Sequence, residues 1–68
     1  MDNDTLFDIF KIAIVNEYEA YEFYRKAAEG AANIEAKKLF ESFAVTELGH
    51  KASLEKLYET LKKAKAGL

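Results

Sequence analysis

Sixty-eight residues, 50% hydrophobic and 32% charged, suffice for one folded domain and no more. The formal charge is −2 with lysines and glutamates interspersed, which argues against nucleic acid as a partner, because phosphate binding needs a basic surface. There is no cysteine, so disulfides and thiolate metal sites are excluded, and a chain this short must look to a metal or a partner subunit for stability.

The chain begins Met1-Asp2-Asn3-Asp4, acidic and without the basic flank of a signal peptide. No window is long and apolar enough to span a bilayer, so no membrane association and a cytoplasmic location are expected. Asp2, Asn3, Asp4 and Thr5 offer helix N-caps, and Thr5 with Asp8 has capping-box spacing. The pattern then predicts a helix over about residues 4–29, with Gly30 as its C-cap. Ala31 and Ala32 fill a short connection, and Asn33 caps a second helix over about 33–66 that ends at Gly67. Lys62, Lys63 and Lys65 sit where cations complement the helix dipole. Few β-branched residues and no alternating apolar–polar run argue against any strand. The expectation is a single all-α domain over residues 1–68, an antiparallel two-helix hairpin.

Steps of three and four give each helix an inner seam. The first is Leu6, Phe10, Ala13, Glu17, Ala20, Tyr24 and Ala27. The second is Ala36, Phe40, Phe43, Glu47, His50, Leu54, Leu57, Leu61, Ala64 and Leu68. Both are apolar except at Glu17, Glu47 and His50. Burying a bare carboxylate costs on the order of several kcal/mol, so these groups need a pairing partner, a proton or a cation. Glu17 lies thirteen residues before Gly30 and Glu47 fourteen after Asn33. At ~1.5 Å per residue both are roughly 20 Å from the turn, with His50 about a turn further on. Two carboxylates and an imidazole at one level make half of a metal site. The same triplet also reads as a buried polar layer that sets pairing register. Glu19 and Glu22 lie around the helix and read as solvated.

Helix 1 is apolar on more than one side, with Phe7, Ile14, Tyr21 and Ala28 in strict sevens plus Ile9, Ile12 and Phe23. That stripe exceeds what one partner helix covers and calls for a second copy of the chain. Twofold symmetry doubles the ligand set to four glutamates and two histidines, the shell of a dinuclear carboxylate centre in a four-helix bundle. Its oxygen-rich character suits iron, with manganese or zinc as alternatives. Val15 and Tyr18 read as scattered surface residues or as contacts in a larger assembly. Gly49 lies inside helix 2, either a tolerated accident or a point of close approach. Tyr21 and Tyr24 adjoin Glu17 and read as core packing or as hydrogen-bond donors to a ligand carboxylate.

The stretch Glu17-Tyr18-Glu19-Ala20-Tyr21-Glu22-Phe23-Tyr24 resembles the Glu-x-x-Ala-x-x-x-Tyr signature of rubrerythrin-type ferritin-like proteins. The stretch Phe40 through His50, ending Glu-Leu-Gly-His, resembles their second helix with its Glu-x-x-His. The resemblance covers roughly residues 9 to 60. It implies that Glu17 is a terminal or bridging carboxylate, Glu47 a bridging carboxylate and His50 the imidazole ligand, all three catalytic. A complete ferritin-like domain has four helices, and full rubrerythrins add a cysteine-rich electron-transfer module. This chain has neither and is similar to the two-helix ferritin-like proteins associated with encapsulin shells. The resemblance therefore implies a homodimer or higher homo-oligomer forming a four-helix bundle with two iron ions per dimer. It further implies Fe(II) oxidation by O2 or peroxide, and an external electron donor or encapsulating shell as partner. The alternative is a non-catalytic helical-hairpin assembly module with a structural or redox-silent zinc or manganese site.

Overall fold

The structure, a computed structural model, describes residues 1–67. Among them it has two helices and no strand: α1, Asn3–Gly30, and α2, Ile34–Lys65. Ala31, Ala32 and Asn33 join them, a connection that leaves the helices no arrangement but antiparallel neighbours. The hairpin is one helix thick, 52 × 18 × 14 Å.

The helix ends follow from local hydrogen bonding. Asn33 caps α2 through its side chain, which accepts from the Ala36 amide at 2.8 Å. Asp2, not Thr5, caps α1: its carboxylate accepts from the Thr5 amide at 2.7 Å, so the Thr5–Asp8 capping box does not form. That bond holds the Asp2 carboxyl below its usual range. Gly30 is the last helical residue rather than a left-handed cap. The chain leaves α1 through extended Ala31, whose amide donates to Ala28 O at 3.3 Å. Beyond α2 the chain does turn left-handed, at Gly67 with φ 77°.

The face that α2 turns toward α1 is rotated from the expected seam. Its half-buried or buried line is Phe40, Ala44, Glu47, Lys51, Leu54, Tyr58 and Leu61. Phe43 and Leu57, expected inside, are 39% and 50% exposed, and the His50 side chain is also more than half exposed; Leu68 lies outside the described residues. The reason is packing at the open end. Tyr58 sets its ring against Phe7 at 5.7 Å and Phe10 at 6.0 Å, which swings its column inward. Lys51 shares that column by laying its stem along the seam while its ammonium reaches Glu55 at 3.0 Å. Toward the turn, Tyr24 stacks on Phe40 at 6.3 Å and meets Phe43 edge-on at 5.2 Å. The α1 seam is as expected, buried or half-buried at every position from Leu6 to Ala27. Two aromatic clusters thus bracket the middle of the hairpin. Even so, only Phe10, Ala28 and Ala44 are buried among the described residues.

Candidate metal centre

Between the two aromatic clusters, α1 contributes Glu17 and α2 contributes Glu47 and His50. One turn of α2 carries both of its residues because Glu-x-x-His spacing returns to nearly the same side of a helix. The His50 Nδ1 atom lies 3.4 Å from Glu17 Oε2 and 3.7 Å from Glu47 Oε2. One ligand atom from each of the three residues falls within 4.8 Å of the others. The carboxylate side chains are 25% and 20% exposed and the imidazole 57%, so the cluster opens on one side of the hairpin.

The electrostatics of the cluster are unresolved by the protein itself. Glu17 Oε2 is buried and has no hydrogen-bond partner. A carboxylate oxygen in that state is costly unless a proton or cation meets it. Glu47 is pushed above the ordinary carboxylate range, first because a proton shared with the neighbouring Glu17 carboxylate is favoured. Burial and repulsion from the Glu17 charge add to the rise, and His50 opposes it. Two carboxylates and one imidazole with an orphaned oxygen between them are the donor set of a first-row divalent metal, and the residues fit such an ion.

The other glutamates of α1 lie elsewhere. Glu19 is exposed. Glu22 is half-buried rather than solvated, since the Arg25 guanidinium holds it at 3.2 Å and keeps its carboxyl below the usual range. Tyr24 belongs to the aromatic cluster nearer the turn, and Tyr21 tilts against Tyr18 at 6.0 Å. Both tyrosines thus pack their rings against neighbouring aromatic rings. Gly49 has nothing within 4 Å of the place a Cβ would occupy, so nothing within the hairpin calls for a glycine there.

The family model described as Rubrerythrin matches residues 6–68, and the chain belongs to that family, part of the ferritin-like superfamily. Members of the family typically bind iron. No curated protein and no solved structure is similar enough to the chain to count as a match. No helix among the described residues is long and apolar enough to cross a membrane.

Proposed function

We propose that this chain is a di-iron protein that oxidises Fe(II) with O2 or peroxide, working as a homodimer whose two hairpins form a ferritin-like four-helix bundle. Glu17, Glu47 and His50 from each copy would hold the metal, giving four glutamates and two imidazoles for two ions. The observation that carries the reading is the convergence of these three groups around an unpartnered Glu17 oxygen at one level of the hairpin. One hairpin supplies too few donors to enclose two ions. Bundles of this class use a glutamate from each of two helices and a Glu-x-x-His from each of the other two, which a second copy provides.

Bound iron would supply the redox chemistry, two Fe(II) ions giving the two electrons that take hydrogen peroxide to water. The chain's own residues do the rest. Glu17 and Glu47 offset the cation charge and can each offer one oxygen or two. At Glu47, whose carboxyl is raised above the ordinary range by the neighbouring Glu17 carboxylate, a cation and a proton would compete for the same oxygens. His50 would contribute a nitrogen donor. The aromatic clusters bracket these residues above and below along the seam.

Anaerobic Fe(II) titration followed by oxygen tests the reading. About one iron per chain and a ferric charge-transfer absorbance after oxygen are expected from the paired-site stoichiometry. Failure to bind iron, or binding with no oxidation above the rate in buffer, contradicts it.

A further inference from the structure

Lys51 stands between two carboxylates of its own helix. Glu47 lies four residues before it and Glu55 four after, so each is about one turn away and within reach of a flexible four-carbon stem. The ammonium is on Glu55, with Nζ 3.0 Å from Oε2. Local geometry favours the other partner. Helical side chains lean toward the N-terminus of their helix, which points the Lys51 stem at Glu47. A glutamate four residues before a lysine also pairs better than one four residues after it. Charge adds to this, because Glu47 faces Glu17 and two facing carboxylates draw a cation more strongly than one.

Hydration opposes these preferences. An ammonium is a compact, strongly hydrated charge. It loses water at Glu47, whose side chain is 20% exposed, and keeps it at Glu55, which is 49% exposed. The Lys51 stem is anchored in the seam, in the column of Ala44 and Tyr58, so only its charged end is free to choose. The two positions are closely balanced, and Glu55 is what makes the outer one favourable. The choice matters to the metal centre. An ammonium on Glu47 is a tethered positive charge set against the oxygens that a divalent cation needs. A site that is open only part of the time binds more weakly in proportion to that fraction.

Resting on the metal-binding reading above, we propose that Glu55 is a positioning residue for the metal centre: by holding the Lys51 ammonium away from the cluster, it keeps Glu47 open to a divalent cation. Without Glu55 the ammonium folds back along the helix onto Glu47 and acts as a built-in competitor. The Lys51–Glu55 pair thus tunes the affinity of the site without touching the ion.

Calorimetric titration with zinc, a redox-silent probe, on the unaltered chain, Glu55→Gln, Lys51→Met and the double variant tests this. Glu55→Gln should weaken zinc binding roughly two- to fivefold, the range that an i, i+4 ion pair supplies. Lys51→Met keeps the stem and removes the charge, and should bind zinc at least as tightly as the unaltered chain. Adding Glu55→Gln to Lys51→Met should change nothing further, since no ammonium remains to be released. In the metal-free structure of Glu55→Gln, Lys51 Nζ should lie within about 4 Å of a Glu47 oxygen. No loss of affinity in Glu55→Gln, an equal loss in both backgrounds, or an ammonium left in solvent would overturn the proposal and leave the metal centre standing. An unaltered chain that binds no zinc would overturn both.

Discussion

The two sides of this hairpin, built by the same two helices, solve the problem of exposure in different ways. On one side the half-buried stripe is fenced by charge. Arg25 holds Glu22 at 3.2 Å and Glu29 at 3.0 Å, Lys51 reaches Glu55, and Lys62 reaches Glu59 at 3.2 Å. The buried alanines Ala28 and Ala44 floor a shallow groove there, rimmed by Arg25, Glu29, Lys37 and Glu41. On the other side, between Ile9 and Ala27 of α1 and between Leu39 and Leu57 of α2, large apolar groups stand in solvent and the acidic and basic side chains are those of Glu17, Glu47 and His50. Exposed ion pairs of this kind add little to stability, but they keep a surface wet and solitary. Their one-sided distribution is what marks the opposite side as the one to be covered.

Breaking that contrast should give the largest effect. Leu57→Lys puts a charge on the uncharged side and should convert a dimer into a monomer by light scattering, with helicity retained in circular dichroism. Val45→Lys, at a residue 69% exposed on the other side, should leave the dimer intact and shift stability by no more than about 0.5 kcal/mol. Equal effects of the two substitutions would erase the distinction between the sides.

Next in size is the consequence of removing the orphaned oxygen. Glu17→Ala should leave the metal-free protein as stable as before or more so, because a buried carboxylate oxygen without a hydrogen bond, and its repulsion of Glu47, disappear from the seam. It should also abolish stabilisation by metal, which at a hundredfold excess over Kd is about 2.7 kcal/mol for the unaltered chain. If the three groups serve to set pairing register, the same substitution lowers stability or mixes oligomers whether or not metal is present.

The protonation of the cluster predicts a smaller, pH-dependent difference. Glu47 in the folded, metal-free protein has its carboxyl above the ordinary range. A raised carboxyl stabilises the fold below its unfolded value, and this contribution is lost as pH rises through the folded one. The metal-free melting temperature should therefore rise as pH falls from neutral through the window above about 4.5 and then drop. The drop comes as Asp4 and Glu22, held low by Lys65 and Arg25, take up protons. Glu47→Gln should remove the rise and keep the drop. Stabilisation by metal should run the other way and weaken on acidification, since the proton and the cation compete for the same oxygens.

The smallest effect tests the reach of the interface. Gly49 has open space at its Cβ position, so Gly49→Ala should stabilise the hairpin by up to about 1 kcal/mol through helix propensity alone. Loss of assembly in this variant would show instead that a neighbouring helix approaches the outer surface of α2.

The helical class and the hairpin were legible in the sequence because periodicity and a three-residue connection are local signals. The meeting of Glu17, Glu47 and His50 was legible too, since rise per residue converts distance from the turn into height. The rotation of α2 was not. Phe43, His50 and Leu57 form one column of sevens, and Ala44, Lys51 and Tyr58 form the column beside it. Both columns flank the line of Glu47, Leu54 and Leu61, so spacing alone does not say which turns inward. Hydrophobicity favoured the first column, as the second contains a lysine. The Tyr58 ring against Phe7 and Phe10 and the aliphatic stem of Lys51 decided for the second. The same rotation is what leaves His50 at the open side of the cluster. The end of α1 also differed by a residue: Gly30, expected as the C-cap, is the last helical residue, and the extended backbone at Ala31 ends the helix with no positive φ there.

The central claim is that carboxylates and imidazoles from two copies of this chain close around metal between uncharged surfaces. Solution mass and bound iron measured on one sample test it most directly. The account predicts a species of twice 7.7 kDa, or a multiple of that pair, with about one iron per chain. A monomer that keeps its iron, or a dimer that binds none, would contradict it.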